Sequence, residues 1–163
     1  MPKKSWSAAD ESAMQEAFRL SLEGMRRGEG GPFGAVVVKD GEIVASAWNE
    51  VLKTNDPTAH AEVTAIRRAT AKLGRFDLHD CVLYTSCEPC PMCLGAAYWA
   101  RISKVYYANT QADAAEAGFS DQFIYEEIAR PLADRQTPFL HLPQPNAKEA
   151  FHEWQKMVSK QPY

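Results

Sequence analysis

His60-Ala61-Glu62 and, further along, Pro89-Cys90-Pro91-Met92-Cys93 restrict this chain more than any other feature. One imidazole and two thiols are a zinc donor set, so any fold that uses them must bring residue 60 to residues 90 and 93. Three protein ligands leave a fourth coordination position for water. Glu62 then stands beside the metal without ligating it, as a hydrolytic zinc centre requires of its acid/base group. Spacing alone also permits a closed structural knot with Cys87 as fourth ligand, because Cys87, Cys90 and Cys93 are evenly spaced.

Both halves of the pattern fall where helices begin. Pro89 and Pro91 bias Glu88 and Cys90 toward extended backbone. Cys90 is then a natural cap, Pro91 opens the helix, and Cys93 lies at its third position on the same side of the helix end. The partial positive charge of that end favours thiolates. Cys87, beyond Glu88-Pro89, is expected to point elsewhere as a small buried hydrophobe, and Cys81 reads the same way. The helix carrying Glu62 is expected to begin between Asp56 and His60, with Asp56 or Thr58 as cap, and to close at Gly74. Ala65, Ile66, Ala69 and Leu73 form its apolar stripe, and Glu62 falls on that stripe. A carboxylate is rarely buried without a partner or a role. Its bland alternative is a surface glutamate complementing the dipole of the first turn.

Elsewhere Ser7-Ala8-Ala9-Asp10 reads as a capping box, followed by Met14, Phe18, Leu22 and Met25 at helical spacing and by Gly28 as terminator. Runs 35–39 and 43–48 are β-rich and joined by Asp40-Gly41, a hairpin signal because the tight turn needs positive φ. Strands are expected over 81–86 and 104–108, with the Cys90 helix reaching about residue 101 between them. A helix over 121–130 stopped by Pro131, an edge strand over 139–142 and a last helix over 147–159 complete the order. That order predicts an α/β protein, a mixed five-stranded sheet with helices on both faces.

At 163 residues a single domain spanning 1–163 is expected, large enough to hold a core without disulfides. The four cysteines crowd into 81–93, which suits a metal better than a disulfide framework. A net charge of −3 supplies no basic field for nucleic acid or acidic membranes. No apolar run approaches the ~18 residues of a membrane span. Met1-Pro2-Lys3-Lys4-Ser5-Trp6 is not followed by the apolar segment of a secretory signal, so a cytoplasmic location is expected.

Weaker candidates surround the motif. Asn49 ends a strand that is able to point into the same site, although a lone Asn is more often a turn residue. Phe33, Trp48, Tyr98 and Trp99 are candidate walls for a flat ring, against the ordinary reading of core aromatics. Gly28 to Gly31 precedes a strand, which argues against a phosphate cradle. Arg67, Arg68, Lys72 and Arg75 read as a solvated helix face before they read as a phosphate-binding one.

Four stretches carry a family likeness. They are Gly30-Gly31-Pro32-Phe33-Gly34-Ala35-Val36, the segment from Asn55 to Val63, the segment from Tyr84 to Ala96, and Asp113 to Phe119 running into Phe123-Ile124-Tyr125. Together they make the chain resemble the bacterial guanine deaminases of the cytidine-deaminase-like superfamily, whose zinc enzymes share H-x-E…P-C-x-x-C. The resemblance covers the whole chain, and its last stretch, with the aromatic end at Tyr163, points to the guanine branch. It implies a three-layer α/β/α fold around five mixed strands and one zinc per chain held by His60, Cys90 and Cys93. It also implies a homodimer whose C-terminal segment, about 119–163, swaps onto the partner, so that Asp121 and Tyr163 complete the other subunit's pocket. On the same basis Phe33 stacks on the purine, Asn49 and the backbone at Ala61 hold its polar edge, and Tyr163 lids the site. Asp121 hydrogen-bonds the base near its leaving amine, and Trp99 is carried as a further wall.

The expected reaction is hydrolytic deamination of guanine to xanthine and ammonia, with Glu62 moving the proton. Within the superfamily the alternatives are a tRNA adenosine deaminase and a deaminase of cytosine or another amino-heterocycle. The net negative charge and a lidded pocket argue against RNA. From another class, the motif would serve a non-enzymatic binding module stabilised by a closed zinc site.

Overall fold

The computed structural model describes residues 6–163. The expectation that no leader precedes the domain rests on residues 1–5, which lie outside that range. Helix α1 (Ala8–Arg26) starts at the anticipated capping box. The Ser7 hydroxyl accepts the Asp10 N–H at 3.2 Å, and the Asp10 carboxylate accepts the Ser7 N–H at 2.6 Å. Strands β1 (Gly34–Lys39) and β2 (Glu42–Trp48) form the expected hairpin, with φ of +51° at Asp40 and +83° at Gly41. There follow α2 (Val51–Thr54), α3 (Ala61–Leu73), β3 (Cys81–Cys87), α4 (Pro91–Trp99), β4 (Lys104–Asn109) and α5 (Gln111–Glu116).

The sheet runs β2-β1-β3-β4. β1 is antiparallel to β2 and to β3, while β3 and β4 are parallel with α4 as their crossover. Alternation along β1 splits the core in two. Ala35 and Val37 pack with Ala61, Ala65, Ile66 and Ala69 of α3; Val36 and Val38 pack with Ala13 and Leu20 of α1. The result is three layers, with α1 on one face and α3 and α4 on the other.

The chain divides into two compact units, Met1–Gln122 and Phe123–Tyr163. All four strands belong to the first. The second begins within α6 (Gln122–Ala129) and carries a 3₁₀ turn (Leu132–Asp134) and α7 (Glu149–Lys156), shorter than the helix anticipated over 147–159. None of residues 123–163 is buried.

The sheet among the described residues therefore has four strands, not five. Residues 139–142, expected as an edge strand, pair with nothing as a strand. Pro138 and Pro143 bracket them. Neither proline has an N–H to donate, so a ladder could not continue through residue 138 or 143 and only four residues are left between them to pair. No helix among the described residues is long and apolar enough to cross a membrane.

Candidate active site

The two ligand-bearing helices begin in the same way. His60 is the N-cap of α3 (φ −66°, ψ 155°) and Cys90 the N-cap of α4 (φ −65°, ψ 168°). The expected caps, Asp56 or Thr58, are displaced for a local reason. Asp56 Oδ1 accepts the Thr58 N–H at 2.8 Å and the Thr58 hydroxyl at 2.7 Å, closing a turn of its own before the helix starts. Neither His60 nor Cys90 caps its helix with its side chain, which leaves both free for a ligand.

His60 Nδ1 lies 3.6 Å from Cys90 Sγ and 3.6 Å from Cys93 Sγ. All three donor atoms fall within 4.8 Å of one another. Zinc bonds near 2.1 Å to nitrogen and 2.3 Å to sulfur, at tetrahedral angles, set a nitrogen–sulfur separation of roughly 3.6 Å. The residues present fit zinc. Cys87 is not a fourth ligand: its thiol donates to the Thr110 carbonyl at 3.6 Å, and among the described residues the cluster consists of His60, Cys90 and Cys93 alone. The closed-knot alternative falls with that observation. The pKa of Cys90 is lowered to about 4 by Cys93 and, more weakly, by His60. The pKa of Cys93 is pushed far up by Cys90, by burial and by Glu62. Cys90 in turn raises the pKa of His60.

Glu62, in the first turn of α3, is 5% exposed and lies on the buried face with Ala65, Ile66 and Ala69, as its spacing predicted. Burial raises its pKa, against the lowering effects of its own backbone N–H and of Thr85. Its Oε2 comes within 3.5 Å of Cys93 Sγ. Its Oε1 accepts a hydrogen bond from the Thr85 hydroxyl at 2.9 Å. Sequence reasoning missed Thr85, because a threonine in a buried strand looks like any other β-branched residue.

Asn49 is buried, directly after β2. Its Oδ1 accepts the N–H groups of Gly31 at 3.3 Å and Val51 at 3.2 Å, and its own N–H donates to the Phe33 carbonyl at 2.9 Å. The glycine-rich loop is thus a clamp on Asn49. A Cβ at Gly30 would sit 2.1 Å from the Asn49 carbonyl oxygen. Phe33 meets Phe119 edge-on, with ring centroids 5.1 Å apart. Phe119 stood in the quoted likeness without a role, and the contact supplies one. Ala61 is the first residue of α3 and fully buried; its N–H belongs to the turn that has no intrahelical acceptor. Asp121 lies near enough to Cys90 and Glu88 of its own chain for their charge to add to burial in raising its pKa. It was expected to serve a partner's pocket.

Three other candidates lie elsewhere in the first unit. Trp48 packs in the α1 core, under Gly24, and donates from Nε1 to Glu29 at 2.7 Å. Tyr98 and Trp99 end α4, opposite its ligand-bearing start, and are 77% and 72% exposed. Trp99 is the last of the nine residues of α4, at the end opposite Cys90. Tyr163 is exposed in the second unit. Three members of the basic cluster are neutralised within the chain: Arg67 by Asp56 at 3.7 Å, Arg68 by Glu50 at 2.8 Å, and Arg75 by Asp80.

Comparison with known proteins agrees with this geometry. Residues 7–109 match the family model of the cytidine and deoxycytidylate deaminase zinc-binding region. Guanine deaminase of Bacillus subtilis (strain 168) is 54% identical over 153 residues, covering 94% of this chain and 98% of the relative. Its crystal structure superposes with a TM-score of 0.91 over the same shares. The tRNA-specific adenosine deaminase of Aquifex aeolicus is 34% identical over 145 residues, 89% of this chain and 93% of that protein. A solved structure in complex with 2,6-diaminopurine is 34% identical, with a TM-score of 0.67 over 71% of this chain and 64% of its own.

Proposed function

The chain belongs to the cytidine and deoxycytidylate deaminase zinc-binding family, and from that premise we propose that it hydrolyses guanine to xanthine and ammonia. One observation carries the chemistry. Glu62 is a buried carboxylate at the edge of the His60–Cys90–Cys93 triangle and outside it. The choice of guanine is supported by the 54% identity to a guanine deaminase along nearly the whole chain.

His60, Cys90 and Cys93 would hold one zinc. Zinc in a three-ligand site lowers the pKa of a water from 15.7 to about 7 and so supplies hydroxide at neutral pH. Glu62 takes the water proton on Oε2 and delivers it to a ring nitrogen as the oxygen adds to the carbon bearing the exocyclic amine. It then takes the proton of the newly added hydroxyl and passes it to the amine as the carbon–nitrogen bond breaks, so that the carbonyl forms and ammonia leaves. Phe33, braced by Phe119, stacks on the purine. Asn49, whose Oδ1 is engaged by backbone, presents its amide N–H to the ring's polar edge beside the Ala61 N–H. Asp121 bonds the base near the departing amine.

The enzyme works as a homodimer in the cytoplasm, where its four cysteines stay reduced. A second copy covers the exposed apolar side chains of residues 123–163. The exchanged segment begins near residue 123 and not at the expected 119, because Phe119 meets Phe33 and Asp121 lies near Cys90 in their own chain. Tyr163 lids the partner's pocket. The paired arginines support a free base over RNA as substrate. The deciding assay measures ammonia from guanine, cytosine, adenine, guanosine and an adenosine-containing tRNA. Guanine is expected to exceed every other substrate by at least tenfold in kcat/KM; a faster reaction on any of the others overturns the choice of substrate.

A further inference from the structure

We infer that Thr85 is a positioning residue for Glu62: its hydroxyl ties Oε1 to the sheet, so that Oε2 alone faces the ligand triangle and the substrate. The inference rests on the proposed role of Glu62 as the proton carrier. Thr85 is fully buried in β3, between Ala35 of β1 and Tyr107 of β4, so its backbone is fixed from both sides. Cys81 and Leu83 on the same face of β3 are plain core residues. A hydroxyl in that row costs free energy unless it is bonded, and its partner is Glu62 at 2.9 Å. Valine would fill the same β-branched shape, so the oxygen is the part of Thr85 that shape does not account for.

What the hydroxyl does follows from the glutamate. Glu62 hangs from a helix by three rotatable bonds, and its two oxygens are chemically equivalent. Proton transfer from water to ring nitrogen to amine needs one oxygen to stay within hydrogen-bond reach of three positions in turn. A donor on a rigid strand removes the equivalence. Oε1 is pinned 2.9 Å from Thr85 Oγ1, and Oε2 is left on the sulfur side, 3.5 Å from Cys93. The carboxylate then pivots about a fixed oxygen and does not swing away between steps.

The experiment compares T85V, T85S and E62Q with the unaltered enzyme. T85V is expected to lower kcat for ammonia release from guanine tenfold or more, the effect of one lost hydrogen bond to a charged group. KM should stay within about twofold and zinc content at one per chain. T85S, which restores the hydroxyl, should return kcat to within about threefold. A readout independent of turnover is the unfolding midpoint of the zinc-free protein: T85V should lower it, and the loss should vanish when E62L removes the partner. Wild-type kcat in T85V overturns the inference, as does T85S as slow as T85V, or loss of zinc together with kcat and KM in both. E62Q separates the two levels. An inactive E62Q beside a fully active T85V sinks the role of Thr85 alone, whereas an active E62Q sinks it together with the reading of the site.

Discussion

Glu62 is a carboxylate withdrawn from water at the positive end of α3, with a hydroxyl on one oxygen and a sulfur near the other. Replacing it by glutamine keeps the shape and the zinc but removes the exchangeable proton. E62Q should therefore lose roughly a hundred- to ten-thousand-fold in kcat while retaining its metal by atomic absorption; undiminished ammonia release would refute the assignment. Gly30 allows a second test. Its missing Cβ is what lets the loop close on the backbone and side-chain oxygens of Asn49, 2.1 and 2.2 Å from where that atom would stand. G30A has to push Asn49 aside, at a cost of about 1–3 kcal/mol. We expect a lower melting temperature and a raised KM with zinc unchanged, and an unaltered KM would show that Asn49 is not held for substrate. The ligand triad and the buried stripe of Glu62 were legible in the sequence, because ligand spacing and helical periodicity are local. Thr85 and Phe119 were not, since each acquires its role from a residue far off along the chain, Glu62 and Phe33 respectively.

Among the elements, punctuation was the most readable part. The capping box at Ser7, the Asp40-Gly41 turn, Pro91 as the first residue of α4 and Gly74 closing α3 with φ of +66° all follow from residue-level sterics. The start of α3 was misread because Asp56 is a good cap that closes an earlier turn instead. The 139–142 segment was misread because its apolar content says strand while its two flanking prolines say otherwise. The packing of α1 on the sheet makes a pH prediction. The Tyr84 hydroxyl donates to the Asp10 carboxylate across the α1–β3 contact. That bond, with the Ser7 donors, lowers the Asp10 pKa below 3.8, while burial and Asp10 raise that of Tyr84 above 10.0. A lowered acid stabilises the fold above its unfolded pKa and loses that contribution as pH falls through the folded value. A raised tyrosine loses its contribution as pH climbs past 10.0. Y84F keeps the capping box and removes only this bond. The stability difference between wild type and Y84F, from urea midpoints, should therefore be flat near neutrality and shrink at both extremes. A difference independent of pH would mean that the bond does not form in solution.

At the scale of the whole molecule the two units are held together differently. The first has two apolar cores, neither of which uses His60, Cys90 or Cys93. Chelation should therefore abolish ammonia release and leave a cooperative unfolding transition; unfolding on chelation would make the metal structural and revive the binding-module alternative. The second unit has no buried residue, yet Leu140, Leu142, Phe151 and Trp154 are 88%, 80%, 70% and 40% exposed. About 40 residues seldom hold themselves together without a disulfide, a metal or another chain, and the cysteines all lie elsewhere. Exchange of this segment between two copies is the arrangement we propose, and it makes a statement about active-site composition that a mixing experiment reads directly. One copy carries E62Q with an intact tail; the other keeps Glu62 but lacks Tyr163. Each alone should be nearly inactive. In a swapped heterodimer one pocket joins the intact Glu62 of the second copy to the intact Tyr163 of the first, so co-refolding them should restore roughly a quarter of wild-type turnover: half the molecules are heterodimers by random pairing, each with one working site of two. If the tail closed its own pocket, no combination of the two would hold both groups, and the mixture would stay as inactive as its parts.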